Sequence, residues 1–212
     1  MGRALPGTPP GRTQAASAAA SLERPSTSHI SIVDRFGGVL SMTTTVEDAF
    51  GSRQMVHGFM LNNQLTDFSL APRTPDDAPV ANRVEPGKRP RSSMTPLIVF
   101  DRATGQPRMT LGSPGGSAII NYVGKVLVGT IDWKLNVQEA IALPNFGSRN
   151  GPTELERGRV DAALGPALES RGHEVRYIDQ TSGLKAIERT PTGWFAGADP
   201  RREGVARGNR RP

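Results

Sequence analysis

The feature that most constrains this chain is a pair of strand-like runs joined by a short glycine-bearing turn. Thr27-Ser28-His29-Ile30-Ser31-Ile32-Val33-Asp34 and Val39-Leu40-Ser41-Met42-Thr43-Thr44-Thr45 are rich in β-branched residues and flank Arg35-Phe36-Gly37-Gly38. Such runs around a tight turn predict a β-hairpin. With the turn centred near Phe36, Thr27 falls opposite Thr45, give or take one residue for a glycine bulge. A threonine opening a strand, faced by a second hydroxyl, suggests a buried nucleophile and its orienting partner. It also fits an ordinary pleated surface, where threonine is favoured on packing grounds. The hairpin alone leaves both readings open.

Composition narrows the classes. The chain has 212 residues, a length that suits one domain with a sizeable core. Mean hydropathy is −0.40, with the polarity concentrated at the two ends. No run approaches the roughly 18 apolar residues that span a bilayer, and Met1-Gly2-Arg3-Ala4-Leu5-Pro6 lacks the apolar stretch of a secretory signal. The absence of cysteine excludes a thiol nucleophile, a disulfide framework and a thiolate metal site. The net charge of +6 raises nucleic-acid binding. Against it, much of the excess lies in the tail Arg201 to Pro212, and aromatics make up only 5% of the chain, so no basic stripe is interleaved with stacking residues.

The chain divides, on composition, into a disordered leader or linker over 1–26, a domain over 27–205 and a basic flexible tail over 206–212. The leader is rich in Pro, Gly, Ala, Ser and Arg; its run Ala15 to Leu22 is a frayed helix or, preferably, linker. Pro72, Pro75, Pro79, Pro86, Pro90 and Pro96 mark 70–96 as a long irregular loop, of a length that is usually functional. Residues 97–100 and 108–111 predict a second hairpin. Ile119, Ile120, Val123, Val126, Leu127 and Ile131 form a helical stripe within 117–131. Further helices are predicted over 137–143 and 160–171, the latter ending at Gly172. Segments 173–178, 184–190 and 194–198 read as antiparallel strands. Periodicity alone therefore predicts an α+β fold.

Ser113-Pro114-Gly115-Gly116 precedes the best helix. Free N–H groups at a helix start favour negative charge, and two glycines let a carbonyl oxygen approach closely. Amides of Gly115 and Gly116 could form an oxyanion hole worth about 3–4 kcal/mol per donor. The same residues are equally a turn that caps the helix. His29, His57 and His173 show no triad-like spacing with an acid and read as structural or surface histidines.

Several motifs, in order and in register, resemble the small-subunit region of the γ-glutamyltransferases (glutathione hydrolases). They are Thr27 to Asp34, Leu61-Asn62-Asn63-Gln64-Leu65-Thr66-Asp67-Phe68-Ser69, Pro86 to Pro96, Gly112-Ser113-Pro114-Gly115-Gly116-Ser117, and Gly193-Trp194-Phe195-Ala196-Gly197-Ala198-Asp199-Pro200-Arg201. The resemblance runs over residues 27–205. It implies the four-layer αββα sandwich of N-terminal-nucleophile hydrolases, of which this chain would be the small-subunit half without the large subunit.

It also implies a mechanism. A threonine hydroxyl needs a base, and a free α-amine with a pKa of roughly 8 can serve on the same residue. Thr27 would be exposed by autocatalytic cleavage of the Ser26–Thr27 bond, its hydroxyl attacking the Ser26 carbonyl to form an ester that water opens. The resemblance makes Thr27 the nucleophile and Thr45 its orienting partner, with Gly115 and Gly116 as the oxyanion hole. It implies that Thr45, Glu47, Gln64, Asp67, Ser92, Ser93 and Gly116 bind the substrate, Ser92 and Ser93 gripping the γ-glutamyl carboxylate and Asp67 with Gln64 its ammonium, which a carboxylate at Glu47 would also attract. No metal or organic cofactor is implied. The implied partners are glutathione and other γ-glutamyl compounds, acceptor amino acids, peptides or water, and a large subunit in a heterodimer, without nucleic acid or a membrane span. Export to the periplasm or the extracellular space is the family's usual fate.

The chain departs from the family in places. Glu47 stands where many members carry Asn, Thr66 replaces an Asp before Asp67, and residues 70–87 hold no tyrosine to gate a site. Only 26 residues precede Thr27, where family precursors carry the large subunit with an arginine for the carboxylate site. A fragment, a separately encoded subunit, an inactive remnant and a related amide acylase are therefore alternatives to the γ-glutamyl enzyme.

Overall fold

A computed structural model describes residues 27–208. The leader reading over 1–26, the Ser26 side of the expected cleavage bond and residues 209–212 of the tail lie outside the described residues. The described chain forms two compact units, one of residues 46–92 and one of residues 27–45 with 93–208.

The larger unit begins with β1 (Thr27–Val33) and β2 (Val39–Thr45), paired antiparallel as the sequence predicts. Asp34 closes the turn, its carboxylate accepting from the N–H groups of Phe36 at 2.8 Å and Gly38 at 2.7 Å. Gly37 takes φ 88°, a left-handed conformation that glycine adopts without steric cost.

The smaller unit is mostly turn. Its regular elements are the two-residue strands β3 (Met55–Val56) and β4 (Phe59–Met60) and a short 3-10 turn at Gln64–Asp67. Only Gly51, Phe68 and Val80 are buried in it. Backbone and side-chain hydrogen bonds hold it together: Asn82 Nδ2 donates to Asp67 O at 2.5 Å, and Asp48 N donates to Asn63 Oδ1 at 3.0 Å.

The larger unit continues with β5 (Leu97–Phe100) and β6 (Pro107–Gly112), which form the second expected hairpin with an irregularity at Val99/Phe100. Helices α1 (Ile119–Ile131) and α2 (Val137–Ala142) follow. A 3-10 turn at Gly116–Ala118 precedes α1. Asn136 and Glu139 cap α2 reciprocally, each side chain accepting from the other's backbone N–H. Next come β7 (Phe146–Gly147), β8 (Thr153–Glu156), α3 (Leu164–Glu169), β9 (Val175–Ile178), β10 (Lys185–Thr190) and β11 (Gly193–Ala198).

The central sheet is four-stranded and antiparallel, in the order β11-β10-β6-β5. Helices α1 and α2 pack on it through Met109, Leu111, Ile119, Tyr122, Val123, Val126, Val137, Ala140, Ile141, Leu184 and Ala186. The expected stripe of α1 is largely the buried one, although Ile120 is exposed and Lys125 is buried in its place. The β1–β2 hairpin packs on β6 and β10. Helix layer, sheet and hairpin together give the expected α+β architecture of this unit.

Two expectations fail. The third helix starts at Leu164 rather than 160, because Asp161 forms a local turn, its carboxylate accepting from Ala163 N at 2.8 Å. Strand β9 pairs parallel with β8, not antiparallel. The short acidic run of β8 carried no clear strand signal, and α3 between the two strands makes a crossover, which delivers the second strand parallel to the first.

Candidate active site

In the larger unit, β1 and β2 place Thr27 directly opposite Thr45. Thr27 and Ser28 line a cleft of about 500 Å³ with Pro114, Lys185, Pro200, Arg201, Arg202 and Glu203. The head of β1 and the loop before α1 therefore meet at one opening. Burial, and then the neighbouring Arg202, lower the pKa of the Lys185 ammonium beside it.

The loop has a backbone only glycines accept readily. Gly115 takes φ 136° and Gly116 φ 60°. A Cβ on Gly115 would lie 2.6 Å from the Tyr122 ring, so the loop approaches α1 more closely than any side chain permits. Ser113 is fully buried; its hydroxyl donates to Pro114 O at 2.6 Å and accepts from Gly183 N at 3.1 Å. Ser93 also belongs to this unit and is half-buried, its carbonyl accepting from the Thr95 hydroxyl at 2.9 Å.

In the smaller unit, Glu47, Gln64 and Asp67 come together. Gln64 Nε2 donates to Glu47 Oε2 at 3.0 Å. Burial raises the Glu47 pKa, and the charge and hydrogen bond of Asp67 raise it further, against a lowering influence from Arg91. Glu47 adopts φ 73°, an uncommon conformation for a residue with a side chain. Ser92 lies in the same unit and is exposed. The expected residues thus form two groups: Thr27, Thr45, Ser93, Gly115 and Gly116 in one unit, and Glu47, Gln64, Asp67 and Ser92 in the other.

Sequence reasoning missed a buried ion network that reaches the cleft through Arg201. Asp199 and Glu156 are buried, and the side chain of Arg201 is buried against them, gripping Glu156 through Nε at 2.5 Å and Nη2 at 2.7 Å. The signal was present: acid and arginine stand at the end of a strand, Gly193 to Ala198, that is otherwise uncharged. Buried charges need partners, which a linear reading does not supply. His29 proves structural. It is buried, hydrogen-bonded to Thr43 at 2.8 Å and Ser31 at 3.1 Å, and its pKa is lowered to about 4 by burial and then by Lys185.

The sequence model of the gamma-glutamyltranspeptidase family matches residues 4–209. This chain belongs to the gamma-glutamyltranspeptidase family. It is 38% identical over 186 residues to the glutathione hydrolase proenzyme of Escherichia coli (strain K12), a match over 82% of this chain and 31% of that protein. It is 32% identical to the acylase ACY 1 proenzyme of Pseudomonas sp. (strain SE83), over 83% of this chain and 30% of that one. The chain therefore spans about a third of the length of these curated relatives.

Among solved structures it is similar to a gamma-glutamyltranspeptidase mutant of Helicobacter pylori, with TM-score 0.71 and 32% identity over 82% of this chain and 99% of the other. An acivicin-inhibited gamma-glutamyltranspeptidase, whose C-terminus has critical roles in autoprocessing and catalysis, matches with TM-score 0.72 and 33% identity, over 83% and 99%. The fold is that of these enzymes.

Proposed function

We propose that this chain is the nucleophile-bearing part of a γ-glutamyltransferase or glutathione hydrolase, with Thr27 forming the acyl-enzyme. The observation that carries this reading is the shared cleft of Thr27 and Pro114, with Thr45 across the hairpin and two positive-φ glycines beside Pro114. Family membership supports it, as does the proenzyme character of the Escherichia coli relative.

Thr27 acts first on its own chain. Its hydroxyl attacks the Ser26 carbonyl, the C–N bond breaks, and water opens the resulting ester to leave Thr27 with a free α-amine. That amine then takes the hydroxyl proton as Oγ1 attacks the γ-glutamyl amide carbon. Amide N–H groups of Gly115 and Gly116 stabilise the oxyanion, and the amine returns the proton to the departing Cys-Gly nitrogen. Water or an acceptor amine then releases the glutamyl group. Thr45 holds the Thr27 rotamer. By the family resemblance, Gln64 and Asp67, with the carboxylate of Glu47, are the groups for the substrate ammonium, and Ser92 and Ser93 those for its carboxylate. Cation and carboxylate are recognised most strongly by charge-assisted bonds, which suits this set.

A heterodimer with a large subunit completes the enzyme. The outer face of the hairpin supports this, because Ile30, Ile32, Leu40 and Met42 are each 39–47% exposed and share one apolar surface. No helix among the described residues is long and apolar enough to cross a membrane.

Intact-mass measurement tests the reading. Purified protein is expected to carry Thr27 as a new N-terminus. Thr27→Ala should abolish both cleavage and γ-glutamyl anilide hydrolysis, by about 10⁴-fold or more for the latter. Turnover by protein with the Ser26–Thr27 bond unbroken would refute it. The acylase relative supports a second reading, hydrolysis of a non-amino acyl amide. Asp67→Ala separates the two, since it weakens only substrates bearing an α-ammonium.

A further inference from the structure

Resting on the acyl-transfer reading above, we propose that Ser113 is a positioning residue that fixes the aim of the Gly115 N–H. The argument starts from the peptide plane. In a trans peptide the carbonyl of Pro114 and the N–H of Gly115 point in opposite directions. Ser113 Oγ donates to Pro114 O at 2.6 Å within a fully buried setting. The carbonyl is thereby held toward Ser113, and the Gly115 N–H is turned the other way. Flanking glycine would otherwise let this plane flip, because Gly115 and Gly116 populate either sign of φ readily. A flip would replace a donor with a carbonyl oxygen where negative charge develops.

Ser113 is itself held. Its hydroxyl accepts from Gly183 N at 3.1 Å, and a Cβ on Gly183 would lie 2.6 Å from Pro114 Cγ. The neighbours of Gly183 are both tied to buried Asp199: the Ser182 hydroxyl donates to its Oδ2 at 2.5 Å and Leu184 N at 3.2 Å. Arg201 occupies the other oxygen through its backbone N at 3.0 Å and Nη1 at 3.1 Å. Asn145 Nδ2 donates to the Ser182 hydroxyl at 2.8 Å. Asp199 thus acts through Ser182 and Gly183 on Ser113, and through Ser113 on the loop.

The test is steady-state hydrolysis of a γ-glutamyl anilide by the full chain assembled with its large subunit, with kcat taken per molecule carrying a free Thr27. Ser113→Ala should lower kcat about 10- to 100-fold, the scale of a misaimed oxyanion donor, and leave KM within about 2-fold. Ser113→Cys, which keeps a weak donor, should fall between it and wild type. Ser182→Ala, one link further away, should lose about 3- to 10-fold, reflecting a looser loop. Should Ser113→Ala fail to assemble, the cysteine and Ser182 variants carry the same comparison. Wild-type kcat in folded variants, or a loss confined to KM, would overturn the proposal. A wild-type assembly that turns over no γ-glutamyl substrate would instead overturn the acyl-transfer reading and this proposal with it.

Discussion

The two units of this chain solve the problem of holding functional groups in different ways. Residues 27–45 and 93–208 build a layered core in which Leu111, Val126, Val137 and Ile141 are fully buried, so positions there are set by packing. Residues 46–92 bury three residues and rely on turns, with Glu47, Phe50, Arg53, His57 and Asp77 all at positive φ. The nucleophile and oxyanion donors proposed in the larger unit need placement within a fraction of an ångström, which a packed scaffold supplies. The substrate-binding groups proposed in the smaller unit tolerate more give, and loops are where such residues collect.

The sharpest way to break this contrast is in the larger unit's buried ion network. Arg201→Met removes the main ion-pair partner of buried Glu156 and Asp199, leaving Glu156 the longer ion pair with Arg159 at 3.5 Å, and should cost about 3–5 kcal/mol in urea unfolding. A loss below about 1 kcal/mol would mean that the network is not what orders this part of the larger unit.

Acid is the next probe. Because the pKa of His29 is lowered to about 4 from the usual 6.5, the unfolded chain binds a proton that the native one refuses. The contribution is present above the unfolded value and is lost as pH falls from about 6.5 to about 4. It amounts to about 3 kcal/mol, read as a falling melting temperature that His29→Gln should flatten.

In the smaller unit Val80→Ala should cost only about 1–2 kcal/mol, because so little core surrounds Val80. Site-resolved hydrogen exchange would locate the effect within 46–92.

Glu47→Gln should change stability least, by under about 1 kcal/mol, but with the opposite pH sign. The Glu47 pKa is raised, so the native state holds its proton more tightly and stability declines as pH rises through the carboxylate range. The glutamine variant should therefore match or exceed wild type at neutral pH. It should also remove any loss of γ-glutamyl affinity on acidification, which a KM profile checks.

Local signals carried much of the architecture. The Thr27 to Thr45 register followed from strand length around one turn, and α1 followed from its apolar period. The Pro-Gly-Gly loop was visible as a turn before a helix, and its sequence alone fitted an oxyanion hole and a helix cap equally well. Strand β8 was not visible: Thr153-Glu154-Leu155-Glu156 looks like a polar turn until Arg201 neutralises the buried Glu156. Nor could Asp199 be linked to Ser113, since both hydrogen bonds on the way, Ser182 to Asp199 and Gly183 to Ser113, join residues distant in the chain.

The hairpin separates the two kinds of information most clearly. Alternation along β1 and β2 determined that His29 and Ser31 share one face with Ser41 and Thr43, and that Ile30 and Ile32 share the other with Leu40 and Met42. Which face turns inward was decided only by the sheet beneath. Ser41 donates to Leu111 O at 3.1 Å, Thr110 donates to Leu40 O at 3.0 Å, and His29 fills the space that a side chain on Gly112 would need. The polar face is therefore turned inward, with His29 buried and Ser31, Ser41 and Thr43 half-buried, and the apolar one left exposed. A period of two assigns residues to faces, but the choice between faces belongs to whatever surface can satisfy the polar atoms.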